Sequence, residues 1–277
     1  MGLADIVLIC YGLGSAMGML GLMARCRELR KPAAWAIAAG FAAHTLIIFH
    51  LFFFSDIEEL NRGDFLEIMA WSLVFVYCVT WWRLRFSFLG LTAGPLALFF
   101  FFGASTLGNI KGGLPEAMTG AFFVLHLVVL FSNLALITLG FGSALYFLNL
   151  HRKLKARILP AESDFQTPAL ATVDRVNRLV VLWGFPLFTI GVATGFAWAH
   201  ATWGSVFRSD PKEIISILIW LLYSLIFMQR FVLGWQGKKA ALMLIVLFVI
   251  TIFSMAGVNF FMDSHHNYFQ VPVFEAL

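Results

Sequence analysis

Charged residues are scarce in this sequence. They make up 12% of the 277 residues, whereas an ordinary soluble domain contains about 25%. Hydrophobic residues make up 61%, and several apolar runs exceed the roughly 18 residues that can cross a bilayer. This composition excludes a soluble globular domain. We therefore predict an all-α, polytopic membrane protein with about eight transmembrane helices, because backbone polar groups in lipid must be paired within a helix or a closed barrel.

Cysteine is also rare, and its spacing excludes several kinds of site. The sequence has three cysteines and no Cys-x-x-Cys pair, which argues against a dithiol redox motif, a c-type haem attachment motif and a cysteine-rich metal site. No basic segment precedes the first apolar run, so a cleaved signal peptide is not expected. The net charge of +4 carries no nucleic-acid signal in such an apolar chain and is better interpreted through its distribution among the connectors.

The apolar segments are separated by connectors that alternate in charge. All but four of the 19 lysines and arginines follow the odd-numbered spans, so the positive-inside rule places these connectors in the cytoplasm and both termini outside the inner membrane. We interpret residues 1–277 as one transmembrane domain. Its cytoplasmic connector, about 151–177, should contain a turn and a short amphipathic segment on the membrane surface. The predicted spans are 4–24, 33–54, 65–82, 86–104, 120–149, 178–200, 214–233 and 240–261.

Histidines are the most informative ionisable residues near the predicted spans. His44 lies about eleven residues into the second span, which is near mid-bilayer at 1.5 Å per residue. An ionisable residue at that depth is a functional hypothesis by default, although a neutral histidine bonded to a neighbouring helix is an equal alternative. His126 lies in the outer part of span five, and His265 and His266 follow span eight on the outer side. Neutral imidazole is a good iron or zinc ligand, but without a His-x-x-x-His pair any site must combine different helices.

The polar loop between spans six and seven, WGSVFRSDPKE at 203–213, has two halves. In the second half, Asp210 can be an N-cap, with Pro211 at N1 and Glu213 at N3 of a capping box. Capping leaves the aromatic residues and cations around the loop unexplained. An aromatic surface beside cations and a helix N-terminus would suit a flat apolar ring that carries carboxylates. The residues concerned are Trp198, Trp203, Phe207, Arg208 and Lys212.

The stretch 175–213 resembles the tryptophan-rich signature of the CcsA/ResC cytochrome c assembly proteins, a haem-handling family with a HemX-like branch. Four motifs carry the resemblance, and together they are specific because they occur in the family's order. They are GFPLFTIG, W-G-x-x-x-x-x-D-P-K-E, R-x-x-x-G-W-x-G, and G-V-N followed by H-x-Y. The resemblance covers at least residues 120–268, and the alternating topology extends it to the whole chain.

The resemblance implies a membrane protein that binds haem b non-covalently at the outer face. The loop at about 198–213 would form the platform, and the positions of His126 and His266 match the two axial ligands of the haem iron. His44 matches more loosely a histidine that many relatives carry in the second span. The family acts with a ResB/CcsB-type membrane partner and presents haem to apocytochrome c, which is assembly rather than ordinary enzyme catalysis. The implied cofactor-binding residues are His126, His266, Trp203, Trp198, Phe207, Arg208, Asp210, Lys212 and His44.

The chain departs from the family pattern at four positions. Val206, Phe207 and Ser209 replace aromatic Tyr, Trp and Trp, and Met228 stands where typical relatives carry a histidine in span seven. Methionine can ligate haem iron, but it can equally face the core or lipid. These departures favour an alternative function, that of a HemX-like accessory or regulatory protein of haem biosynthesis without haem transfer. A small-solute transporter is disfavoured, because no pair of discontinuous helices is visible.

Overall fold

The computed structural model describes residues 2–24, 26–54, 62–84, 89–107, 121–157, 169–207 and 209–257. Within these ranges the chain forms eight α-helices and no strand, which confirms the predicted fold class. Seven helices are long and apolar enough to cross a membrane, and α4 is a shorter apolar helix. The helices are α1 (Leu3–Met23), α2 (Arg30–Phe54), α3 (Arg62–Leu84), α4 (Gly90–Leu107), α5 (Ala121–Lys155), α6 (Leu170–Trp203), α7 (Pro211–Phe231) and α8 (Lys238–Ile252).

Helix α5 is the central element of the bundle. It packs against α3, α6 and α8, while α1 packs against α2 and α4. Helix α7 lies at one edge, against α6 and α8. We call the end of the bundle that carries the α6–α7 loop, residues 204–210, the loop face. The opposite end, where α5 ends and α6 begins, is the basic face.

Helices α5 and α6 are longer than predicted, at 35 and 34 residues. The apolar runs indicated only 120–149 and 178–200. Helix α5 continues through polar residues to Lys155, because its last turns contain good helix formers and no Gly or Pro. Similarly, α6 begins at Leu170. The prediction of a separate amphipathic segment within 151–177 was therefore wrong for residues 170–177, which form the first turns of α6.

Small residues allow neighbouring helices to approach closely. A Cβ added to Gly140 on α5 would lie 2.8 Å from Val180 Cγ1 on α6. A Cβ at Gly184 would overlap the hydroxyl of Tyr223 on α7. These contacts are tighter than real Cβ atoms adopt, so a side chain at either position would force the helices apart.

We expect Gly184→Ala to lower the free energy of unfolding by about 1–3 kcal/mol through overpacking. The Tyr223 hydroxyl that the new methyl would strike is fully buried and donates a hydrogen bond to the Val180 carbonyl at 3.2 Å. Gly12→Ala in α1 is the matched control, because a Cβ there meets no atom within 4 Å. Unfolding by SDS titration in mixed micelles measures both variants, and equal stability of the two would contradict the close packing of α6 and α7.

A buried ion pair joins α6 and α7 at the basic face. Arg230 Nη2 lies 2.7 Å from Asp174 Oδ2, and Arg230 Nη1 lies 3.1 Å from Asp174 Oδ1. The same guanidinium donates to the backbone carbonyls of Trp235 at 3.0 Å and Asp174 at 2.7 Å. Gly237 N–H donates to Asp174 Oδ1 at 3.1 Å. Since Gly234 and Gly237 have positive φ angles of 66° and 73°, the R-x-x-x-G-W-x-G motif is a turn built around this arginine.

Candidate functional site

His126 projects from α5 towards α6 near the loop face. Its Nδ1 lies 2.7 Å from the backbone carbonyl oxygen of Gly191. Because a carbonyl can only accept, Nδ1 carries the hydrogen, and Nε2 of the neutral ring keeps its lone pair. Metal-ligating histidines are commonly oriented by such a bond from the other ring nitrogen. The side chain is only partly buried, so the ring is not sealed inside the core.

Two glycines of α6 provide the space for this ring. Gly191 and Gly195 are four residues apart and share one face of the helix. A Cβ at Gly195 would lie 2.7 Å from His126 Cε1 and 2.8 Å from Nδ1. Thr194 also donates to the Gly191 carbonyl, at 3.1 Å. The sequence G-V-A-T-G indicates close helix packing, but it gives no sign that a histidine is the partner.

Trp198 lies below the loop, at the end of the same α5–α6 interface. It is 5% exposed. Its ring packs 5.3 Å from that of Phe123 on α5, and Phe123 meets Phe65 of α3 edge-on at 5.9 Å. The sequence predicts Trp198 as part of an aromatic binding surface. The structure places it in a covered cluster that supports the loop, so only a small edge of the ring is open to a ligand.

The loop itself presents a small apolar surface. Helix α6 ends with Gly204 at φ +68°, whose N–H donates to the His200 carbonyl at 2.9 Å. Val206 and Phe207 follow, and they are 52% and 48% exposed. The Ser205 hydroxyl donates to the Phe207 carbonyl at 2.9 Å, which holds the turn. One phenyl ring and one aliphatic side chain therefore face outward from this loop.

The capping box predicted at the start of α7 is confirmed. Asp210 is the N-cap, and its Oδ1 accepts from Lys212 N–H at 2.8 Å. Glu213 Oε2 accepts from the Asp210 N–H at 3.3 Å, and Pro211 occupies the first turn. Asp210 is only 3% exposed. Its carboxylate is thus directed to the helix end, where it fixes the loop relative to α7.

We expect Asp210→Ala to lower the free energy of unfolding by about 1 kcal/mol, the usual loss for an N-cap. Asp5→Ala is a suitable control, because Asp5 also lies in the first turn of a helix but is exposed, and among the described residues its carboxylate accepts only from Gly2 N–H, at 2.8 Å. Exposed substitutions of this kind usually change stability by less than about 0.5 kcal/mol. Thermal unfolding in detergent compares the stability of the Asp210→Ala and Asp5→Ala variants. An equal decrease in stability would argue against a stabilising cap at Asp210.

The other predicted loop and terminal residues are only partly described. His266 and Arg208 lie outside the described residues, and so does His265. For Trp203 only the backbone is described, in the last turn of α6. Lys212 is partly buried in the first turn of α7. The pairing of His126 with His266 across a ligand therefore stays a prediction.

His44 lies in a different part of the bundle, where α2 packs against α1 and α4. It is fully buried, and its Nδ1 lies 3.1 Å from the Tyr11 hydroxyl. The ring of Phe101 meets it edge-on at 4.8 Å. Within the described part of the chain, Nε2 has no hydrogen-bond partner. The structure does not bring His44 to His126, and the packing around His44 leaves no open face for a large planar ligand.

Met228, the residue at the position of an expected span-seven histidine, is 51% exposed on α7. Helix α2, which carries His44, packs against α1, α3 and α4, whereas α7 packs against α6 and α8. A sealed histidine and a half-exposed methionine therefore do not form one pocket. Among the described residues there is also no cluster of three or more His, Cys, Asp or Glu side chains suited to a metal ion.

A groove of about 380 Å³ opens between α6 and α7. It lies on another side of α6 from His126. Val192 and Phe196 each follow by one residue a glycine that contacts His126, and one residue corresponds to about 100° around the helix. The indole of Trp220 donates to the Thr189 hydroxyl at 3.1 Å within it. None of the described residues that line it is charged, so the groove suits an apolar chain such as a lipid tail rather than an iron ligand. It is lined by Thr189, Val192, Ala193, Phe196, Ile217 and Trp220.

Comparison with known proteins gives one consistent result. A family model described as cytochrome C assembly protein matches residues 38–266. The chain is similar to the cytochrome c biogenesis protein CcsA of Chlamydomonas reinhardtii, with 26% identity over 261 residues, covering 91% of this chain and 72% of the relative. It is 25% identical to CcsA of Pyropia yezoensis over 246 residues, covering 75% and 77%. A shorter match to CcsA of Cyanophora paradoxa reaches 38% identity over 96 residues, or 35% and 30% of the two chains.

Proposed function

Because the chain belongs to the cytochrome c assembly protein family and has a role in cytochrome c maturation, we propose that it binds haem b at the loop face and presents it to apocytochrome c. The observation that carries this proposal is the geometry of His126. Its Nδ1 donates to the Gly191 carbonyl, so Nε2 is the ring nitrogen whose lone pair is suited to iron.

The loop face of the bundle fits a haem group in three respects. Gly191 and Gly195 of α6 fix the orientation of the His126 imidazole without enclosing it. Val206 and Phe207 offer exposed apolar surface at the same end of the bundle. Lys212, in the first turn of α7, places a positive charge at that end as well. Haem supplies, when bound, an iron that takes axial ligands and vinyl groups that can be joined to thiols.

In this proposal the protein contributes position rather than reactive groups. His126 and His266 would hold the iron, and the loop would limit the approach of water. Trp203 and Phe207 would contact the macrocycle, with Trp198 supporting them from below. Arg208 and Lys212 would pair with the propionates, and the Asp210 cap would keep the loop in place. Holding the vinyl groups near two thiols can supply much of the rate enhancement by proximity alone.

We assign His44 a lesser role in haem binding. Its enclosure by Tyr11 and Phe101 would require α1, α2 and α4 to separate before a macrocycle could reach Nε2. The hydrogen bond to Tyr11 of α1 pairs Nδ1 and agrees with the alternative given for the sequence, a histidine bonded to a neighbouring helix. His44 thus stays a candidate ligand only for a conformation more open than the described one.

A haem site at the loop face also implies an orientation of the bundle in the membrane and a set of binding partners. The loop face would lie outside the inner membrane, because the basic face carries most of the lysines and arginines. Apocytochrome c would then meet the loop face, and a ResB/CcsB-like membrane protein would complete the assembly unit. The apolar outer surfaces of α2 and α7, with side chains such as Phe53 and Leu218 exposed, would contact membrane lipid or that partner.

Deletion of the coding region tests this role in cells. We expect covalent c-type cytochromes, measured by haem staining of denaturing gels, to be lost and to return when the parent chain is supplied. The His126→Ala chain should accumulate in the membrane but fail to restore them. Normal cytochrome levels in the deletion strain would overturn the presentation role.

Normal cytochrome levels in the deletion strain would favour the HemX-like alternative, an accessory or regulatory protein of haem biosynthesis. The observation on its side is the loop surface, where Val206 and Ser209 occupy positions at which the resemblance implies aromatic rings. The two proposals differ in a second measurement, the level of haem-synthesis intermediates. A change in these levels with intact c-type cytochromes would select the alternative.

A further inference from the structure

Asn177, in the second turn of α6, is a buried polar side chain that lacks partners within the described part of the chain. It is 1% exposed, and neither Oδ1 nor Nδ2 has a hydrogen bond there. Leaving such a group unsatisfied is unfavourable, because it loses its hydrogen bonds to water on folding and gains none in return. Because native structures rarely leave buried polar groups unpaired, this amide indicates a bound ligand.

The side chain lines a small cavity at the basic face. The cavity has a volume of about 10 Å³, which is near the lower limit of about 10–15 Å³ for one water molecule and excludes anything larger. Arg230 also lines it, so its fixed positive charge disfavours a cation. The lining residues are Asn177, Val181, Ile226, Arg230, Trp235, Ala240 and Leu244.

The polar groups beside Asn177 have capacity for such a ligand. The four hydrogen bonds that Arg230 makes to Asp174 and Trp235 all use Nη1 and Nη2, whereas the guanidinium has a fifth donor at Nε. The Trp235 carbonyl accepts one of these bonds and has a second lone pair. A water molecule needs two to four polar partners, and the asparagine amide alone offers both a donor and an acceptor.

We propose that one water molecule is bound in this cavity and bridges Asn177 of α6 to the Arg230–Trp235 segment at the end of α7. The site lies directly beside the Asp174–Arg230 ion pair. The water would satisfy the amide and add a second polar connection between α6 and the α7–α8 turn. This site is independent of haem binding, because it lies at the face opposite His126.

X-ray radiolytic labelling of the purified full-length chain in lipid nanodiscs tests the proposal. Hydroxyl radicals formed from a bound water label adjacent side chains that bulk solvent does not reach. We expect Ile226 and Leu244, which are 3% and 1% exposed, to be labelled. Ile219 and Leu247 are matched controls, because they are as deeply buried, at 2% and 0%, and do not line the cavity. Absence of label on Ile226 and Leu244 would overturn the site.

Asn177→Leu tests the role of the amide. It replaces the polar side chain by an apolar one of similar branching, so labelling of Ile226 and Leu244 should fall to the level of the two controls. Unchanged labelling would overturn the assignment of the water to Asn177. Label on Ile219 and Leu247 would show that this variant unfolds. The smaller substitution Asn177→Val then replaces it, and again loss of label on Ile226 and Leu244 supports the assignment while unchanged label overturns it.

Discussion

Replacing Arg230 by alanine should lower the free energy of unfolding by about 3 kcal/mol or more, the range found when one partner of a buried ion pair is removed. The guanidinium is only 3% exposed and the Asp174 side chain 16%. The substitution would leave that carboxylate in the protein with a single remaining donor among those described, the Gly237 N–H. It would also release the Trp235 carbonyl and the α7–α8 turn that depends on it.

Two further variants separate the ion pair from general effects of charge removal. Arg178→Ala removes an exposed cation that lies 5.2 Å from the Phe231 ring, and such exposed cation–π contacts contribute about 0.5–1 kcal/mol. Arg230→Lys keeps the charge but cannot form the two-pronged contact with Asp174, so an intermediate loss is expected. SDS titration in mixed micelles measures all three. If Arg230→Ala lowers the free energy of unfolding no more than Arg178→Ala does, the structural role of the Asp174–Arg230 ion pair is contradicted.

The haem content of the purified protein should depend strongly on His126. We expect His126→Ala to remove most of the haem that co-purifies with the parent chain. Loss of a side chain that merely orients a metal ligand lowers metal affinity by about 10–100-fold, and loss of the ligand itself should exceed that. Haem content per protein is measured by the pyridine haemochrome assay after expression with sufficient haem.

His151→Ala provides the matched control for this experiment. His151 lies on the same helix as His126 but near the basic face, where its ring stacks on Phe147 at 6.1 Å. We expect this variant to retain the haem content of the parent. Equal haem content in the two variants would remove His126 from the ligand set, even if the protein still bound haem elsewhere.

The parts of the structure that follow local rules could be predicted from the sequence. The α7 cap involves residues within four positions of each other, so Asp210, Pro211 and Glu213 were sufficient to predict it. The apolar runs likewise predicted the number and order of the helices. Their lengths could not be predicted from the apolar runs alone, because α5 continues to Lys155 after its apolar residues end.

Contacts between distant residues could not be predicted, because they depend on which helix faces lie together. Asp174 and Arg230 are 56 residues apart, and the R-x-x-x-G-W-x-G motif that begins at this arginine gives no sign of its partner. His126 and the carbonyl it bonds are 65 residues apart. His44 and Tyr11 are 33 residues apart, and a tyrosine in an apolar run gives no sign that it partners a histidine.

The absorption spectrum of the purified parent chain decides whether this chain binds haem b at the loop face. We predict that protein from haem-replete cells shows oxidised and dithionite-reduced haem b bands, and that these bands are lost or shifted in His126→Ala. A purified, folded parent chain with no haem bands after haem-replete expression would show that the chain is not a haem-binding protein.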